Sequence, residues 1–250
     1  MAFINNGFTL AMCCICASLS AAASASEQPT AIFHAFHQTY SDVKDFVCDL
    51  GAQGYSHVQI APAQKSNPGM EWWARYQPVD YGVIEGRGSE TDLRDLVRVG
   101  HDCQVKVIAD GVFNHMADLG DCRDLRCFPG LSPDDFHPRC EINYADGNKF
   151  SEVNCWLGSL PDLIHNDKVQ RLQKAHLKKL LDLGIDGFRF DAAKHMPREV
   201  VAEYVRYIND QSNGNAWNYL EVIEDQDTRA EDYNDIAAVT DFVLYKSMKR

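Results

Sequence analysis

Gly187-Phe188-Arg189-Phe190-Asp191-Ala192-Ala193-Lys194-His195, in the second half of the chain, alternates two aromatic residues with an arginine and an aspartate. Successive side chains of a strand point to opposite faces. A strand here therefore puts Phe188 and Phe190 on a packing face, while Arg189 and Asp191 aim a fixed cation and a carboxylate at the same place.

Outward from that stretch, short β-rich runs at residues 31–36, 57–61, 105–109, 186–190, 219–223 and 241–245 each precede a helix-like segment or the chain's end. Residues 42–50, 90–100, 168–183 and 198–209 carry apolar side chains at the three and four spacing of amphipathic helices, so Leu172, Ala175, Leu180 and Leu183 read as core. Strands alternating with helices predict βαβ units and a parallel sheet. Residues 114–166 break the rhythm. Rich in Gly, Pro, Asp and Cys, they read as an excursion from the third strand, a small subdomain with its own disulfides.

The chain has 250 residues, 45% of them hydrophobic and 24% charged, which suits one large globular domain or two small ones. A formal charge of −12 repels phosphate backbones and anionic lipid, so nucleic acid and membrane surfaces are excluded as partners and a neutral or cationic ligand is favoured. Residues 1–25 lack Asp, Glu, Lys and Arg, hold an apolar run and end in small residues. They read as a signal peptide cleaved after Ala23 or Ala25, which predicts a secreted protein. Cys13, Cys14 and Cys16 leave with it, and the remaining Cys48, Cys103, Cys122, Cys127, Cys140 and Cys155 are even in number, as disulfides require. None has C-x-x-C spacing, and spacing alone leaves their pairing open.

Three of the β-rich runs end in charge. The third gives Asp110-Gly111-Val112-Phe113-Asn114-His115, the fourth Arg189 and Asp191, and the fifth Glu221. One polar strand end is commonly a helix cap. Three together mark a site, because βα barrels gather their catalytic groups at the C-terminal strand ends. Arg189 beside Asp191 predicts a lowered aspartate pKa, and a partly apolar cleft with a second carboxylate nearby predicts a raised one for Glu221.

These stretches, with "YSHVQIAP", "EWWARYQPVDY" and "SPDDFHPRCEIN", resemble the α-amylase family of glycoside hydrolases (family 13) across about residues 31–245. The resemblance implies a (β/α)8 barrel of TIM type, of which this chain holds about six βα units. It divides the chain into a signal peptide (1–25), a first barrel part (26–113), the excursion (114–166) and a continued barrel part (167–250). It further implies retaining endo-hydrolysis of α-1,4-glucosidic bonds in starch and related glucans, with Asp191 as nucleophile and Glu221 as general acid and base. Their carboxyls should then stand roughly 5–5.5 Å apart.

Asp110, His115, Arg189, Lys194 and His195 are expected around the cleaved bond. Trp72, Trp73 and Tyr76 offer flat faces for pyranose rings. Calcium is implied on Asn114, Asp162 and the carbonyls of Val153 and His195, and chloride on Arg189. By the same resemblance Cys48 pairs with Cys103 and Cys140 with Cys155, which leaves Cys122 with Cys127 by elimination. The family's motif "F-V-D-N-H-D", with its third carboxylate, is not found, so the sequence reads as a fragment of a protein that is a monomer at full length. Two alternatives stand beside the amylase reading: a maltogenic or transglycosylating relative, and a non-catalytic carbohydrate-binding or scaffold protein on the same fold.

Overall fold

The computed structural model describes residues 28–145, 147 and 149–249; the expected signal segment and its cleavage points lie outside the described residues. The frame is a parallel sheet of six strands in the order β1 (Ile32–Ala35), β2 (His57–Ile60), β5 (Lys106–Gly111), β6 (Gly187–Phe190), β7 (Trp217–Leu220) and β8 (Ala238–Val239). Every neighbouring pair is parallel, in the sequential order of an incomplete (β/α)8 barrel.

Helices return the chain between strands, and their ends are written in the sequence. α1 (Tyr40–Ala52) and α2 (Glu90–Asp102) open with capping boxes, Thr39 with Asp42 and Ser89 with Asp92, each satisfying two otherwise orphaned amides. Asn166 caps α4 (Asp167–Asp182) by accepting from the amides of Lys168 and Val169, while α5 (Arg198–Gln211) follows Pro197. The helices bury Val43, Val47, Leu93, Leu96, Leu177, Leu180, Val201 and Tyr204 against Val58, Val107 and Phe188 of the sheet. Cys48–Cys103 staples the end regions of α1 and α2 with Cα atoms 5.2 Å apart.

Gly187 opens β6 for a steric reason. A Cβ there would meet the carbonyl oxygen of Trp217 at 1.8 Å, so only glycine lets β7 lie this close.

Two elements differ from the sequence reading. Residues 64–84 form an antiparallel hairpin, β3 (Gln64–Ser66) with β4 (Pro78–Ile84), around a 3-10 turn at Trp72–Tyr76. The predicted strand at 241–245 is instead helix α6 (Phe242–Met248), and the sixth strand lies just before it at Ala238–Val239. Asp241 decides the point: its carboxylate accepts from the Leu244 amide at 2.7 Å, starting a helix where apolar content had suggested a strand.

The excursion between β5 and α4 holds little regular structure, a 3-10 turn at Pro133–Asp135 and the short α3 (Phe150–Asn154). Isolated bridges (His115 with Asp162, Phe136 with Leu163, Glu141 with Trp156) and the disulfides Cys122–Cys127 and Cys140–Cys155 shape it. All three expected pairings are therefore present in the structure.

Candidate active site

Strand register builds the site. Asp110 on β5 pairs across the sheet with Arg189 on β6, which pairs with Tyr219 on β7. With side chains alternating, the Arg189 face turns away from the buried Phe188 and Phe190. Its Nη1 donates to Asp110 Oδ1 and to Asp191 Oδ1, each at 2.7 Å, and its Nη2 pairs with Glu221 Oε1. The charged face of the opening stretch thus lets one guanidinium hold carboxylates from three consecutive strand ends.

The chain then bends sharply. Ala192 adopts the left-handed region (φ 48°), uncommon for a residue with a Cβ, and its amide donates to Glu221 Oε2 at 3.1 Å. This fixes the second oxygen of Glu221.

Asp110 is fully buried and accepts from Gln59 Nε2 at 3.2 Å and from the Tyr76 hydroxyl at 3.0 Å. The Tyr219 hydroxyl in turn donates to Gln59. Burial raises the pKa of Asp110, and Arg189 opposes it. Burial likewise raises Glu221, as the sequence predicted, with Arg189 opposing and Asp191 adding to the rise. Asp191 departs from the expectation: burial outweighs Arg189, and its pKa lies above rather than below the ordinary value. The physical reason is that one cation is divided among three carboxylates in a poorly solvated site, so its pull on any one of them is diluted.

A cleft of about 440 Å³ lies over this cluster, lined by Trp72, Trp73, Tyr76, His115, Arg189, Asp191 and Glu221 among others. Both tryptophans are half exposed, because a 3-10 turn, unlike a strand, does not alternate neighbours between opposite faces. An adjoining cavity of about 380 Å³ brings Lys194 and His195 beside Asp191 and Glu221. The structure therefore gathers every sequence-predicted catalytic and binding residue around one centre, with Asp110 beneath it.

Their hydrogen bonds are partly committed to the protein. His115 donates from Nε2 to the Tyr76 carbonyl at 3.0 Å and accepts at Nδ1 from Asn114 at 3.3 Å. His195 donates from Nδ1 to the Glu152 carbonyl at 3.0 Å, and burial lowers its pKa to about 4, so it is neutral. Lys194 is paired with Asp225.

Sequence reasoning missed Gln59, His34, Tyr219, Leu157 and Asp225. For Tyr219 the signal was available, since it stands two residues before Glu221 and so shares its face. Leu157 and Asp225 sit on loops, where spacing carries no such information.

The residues proposed for calcium can be tested on their unmet oxygens. Asn114 Oδ1 and Asp162 Oδ1 are both buried without a hydrogen-bond partner, in segments joined by the His115–Asp162 bridge, and hard anionic or amide oxygens suit this ion. The hydrogen bond from His195 to the Glu152 carbonyl brings the peptide before Val153 to His195. Among the described residues no three His, Cys, Asp or Glu converge as a metal centre, so a cation here would draw on amide and carbonyl oxygens. Chloride fits less well, because both terminal nitrogens of Arg189 already face carboxylates.

A parallel barrel sheet carrying three carboxylates on one arginine at its C-terminal strand ends, beneath an aromatic cleft, has the architecture of a barrel-type glycoside hydrolase. Comparison with known proteins agrees. An α-amylase-related protein of Drosophila auraria is 33% identical across 99% of this chain and 56% of its own length. One from Drosophila willistoni is 33% identical across 84% and 48%. α-Amylase I of Eisenia fetida, solved with maltohexaose, superposes with a TM-score of 0.78 at 29% identity, covering 88% of this chain and 51% of that one. No protein-family model matches the chain. The chain belongs to the α-amylase family, glycoside hydrolase family 13, and spans about half the length of the curated relatives it matches.

Proposed function

We propose that the protein hydrolyses internal α-1,4-glucosidic bonds of starch-like glucans with retention of configuration. The observation that carries this reading is the single Arg189 guanidinium holding Asp191 and Glu221 side by side at adjacent strand ends, beneath Trp72, Trp73 and Tyr76. Retention needs one ionised carboxylate and one protonated carboxyl close together. Three carboxylates around one cation cannot all ionise cheaply, so the cluster retains a proton, and Glu221 is its bearer.

In the first step an Asp191 oxygen bonds to the anomeric carbon as the bond to the leaving oxygen breaks, and that oxygen takes the Glu221 proton. In the second, the Glu221 carboxylate takes a proton from water, whose oxygen attacks the anomeric carbon and releases Asp191. Asp110 acts through Arg189 and Tyr76, fixing both. Flat aromatic faces bind sugar rings, and Lys194 and His195 border the side from which Glu221 is approached.

Calcium belongs to the same reading. Held by Asn114, Asp162 and the carbonyls of Val153 and His195, it would supply positive charge that joins the excursion to the β6 loop. Secretion from a signal peptide follows too, supported by three disulfides and by the lack, among the described residues, of a helix able to span a membrane.

The test is the anomeric form of the first product, followed by NMR during maltooligosaccharide cleavage. Retention predicts the α-anomer first, lost in Asp191→Asn and Glu221→Gln. A β-anomer, or starch cleavage at wild-type rate by either variant, refutes the assignment.

A further inference from the structure

We propose that the excursion carries a second ligand site, separate from the catalytic cleft, that takes an oxyanion borne on a sugar. The site is a cavity of about 800 Å³, larger than the one over the carboxylates and within the range of small-molecule pockets. Arg123, from the loop closed by Cys122–Cys127, and Arg139, beside Cys140–Cys155, both line it.

Among the described residues, neither arginine has an ion-pair partner. Arg126 of the same loop pairs with Asp124, and Asp118 is the one acidic residue among the described residues of the lining. Two arginines lining one cavity stand out in a chain of charge −12, and guanidinium is the side chain that matches phosphate, sulfate or carboxylate geometry.

The sugar part follows from what stands beside the charges. Arg139 lies over the Trp156 ring at 5.4 Å, and the indole is itself pinned, its Nε1 donating to the His137 carbonyl at 2.9 Å. Aromatic Trp156 and Phe136 make an apolar wall in a space far larger than a bare oxyanion fills. The segment 156–161 divides the two sites: Trp156, Ser159 and Pro161 face this cavity, while Leu157 and Leu160, bridged to each other, line the cleft.

The test is calorimetric titration of the full chain with glucose 6-phosphate, glucose and inorganic phosphate, in the wild type and in Arg123→Gln/Arg139→Gln. Both positions are exposed, so the variant should keep the wild-type melting temperature, and equal binding of maltohexaose checks the cleft. The expected result is saturable binding of glucose 6-phosphate, at least tenfold weaker in the double variant and at least tenfold stronger than that of glucose or inorganic phosphate. Glucose binding as tightly as its phosphate, inorganic phosphate binding as tightly as the sugar phosphate, or a double variant of unchanged affinity would each overturn the proposal.

Discussion

The strand ends and the excursion hold their side chains by opposite means. At the ends of β5, β6 and β7, parallel register sets Asp110, Arg189 and Tyr219 in a row, and the backbone ladder does the positioning. In the excursion, whose described residues hold only α3 and a single turn as regular structure, two disulfides and side-chain bonds such as His137 to Asp162 (2.6 Å) and Trp156 to the His137 carbonyl do that work. Ladder-held charge should respond to changes in the charge itself. Crosslink-held structure should respond to the crosslinks and to ions.

The largest effect is expected at Arg189. Arg189→Gln leaves the buried Asp110 and the part-buried Asp191 and Glu221 without their cation, and removing one partner of a buried ion pair typically costs about 3–5 kcal/mol. Since Arg189 lowers the pKa of both Asp191 and Glu221, its loss raises both further. Asp191 must be ionised to attack, so the acid limb of the kcat/KM profile should move to higher pH. A lowered Tm together with an unmoved acid limb would break the link between the arginine and the nucleophile.

The disulfides come next. A crosslink stabilises in proportion to the logarithm of the loop it closes, giving roughly 4 kcal/mol for Cys48–Cys103, 3 for Cys140–Cys155 and 2 for Cys122–Cys127, whose partners are 55, 15 and 5 residues apart. Paired Cys→Ala variants should follow that order in denaturant midpoint. Activity should follow a different one. Cys155 immediately follows α3, whose Glu152 carbonyl anchors His195, so losing Cys140–Cys155 should depress kcat more than losing Cys48–Cys103 does. If kcat instead tracked stability, the excursion would be a passive appendage.

How much of this was legible follows from the same contrast. Period-two alternation in 187–191 announced both the packing face and the charged face, and apolar spacing in 42–50, 90–100 and 168–183 announced helices that the structure starts two residues earlier, at the start, and one residue earlier, because these signals are local. The β3–β4 hairpin was missed because β3 is only three residues long, its register against β4 is irregular, and a turn of aromatic residues separates the two strands. Residues 241–245 were misread because an apolar run does not choose between strand and helix, whereas a cap at Asp241 does. The reduced ionisation of Asp191 was invisible for another reason. Sequence shows that Arg189 is near, but not that Asp110 and Glu221 draw on the same guanidinium.

A smaller effect is expected from calcium. If the ion satisfies the unpartnered oxygens of Asn114 and Asp162, chelation should lower the melting temperature by a few degrees, and Asp162→Asn should blunt that response. A melting curve indifferent to chelator would assign those two oxygens to strain or water instead.

The smallest expected effect lies where the excursion meets α4. Asp135 is buried, which alone would raise its pKa, but hydrogen bonds from Lys168, Asn166 and Ser132 prevail and hold it at about 2. Its folded value is depressed below the unfolded one of about 3.9, so its contribution is complete above that pH and disappears as pH falls through the folded value. Lys168 is substantially exposed, and solvent screening limits the gain to roughly 1 kcal/mol. Thermal melts between pH 5 and pH 2 should therefore show a steeper loss of stability for the wild type than for Asp135→Asn, with the two curves converging at the acid end. Convergence ties the excursion to the barrel through a titrating contact as well as through its crosslinks. Parallel curves would mean that Asp135 carries no net electrostatic stability and that the disulfides and packing hold this junction unaided.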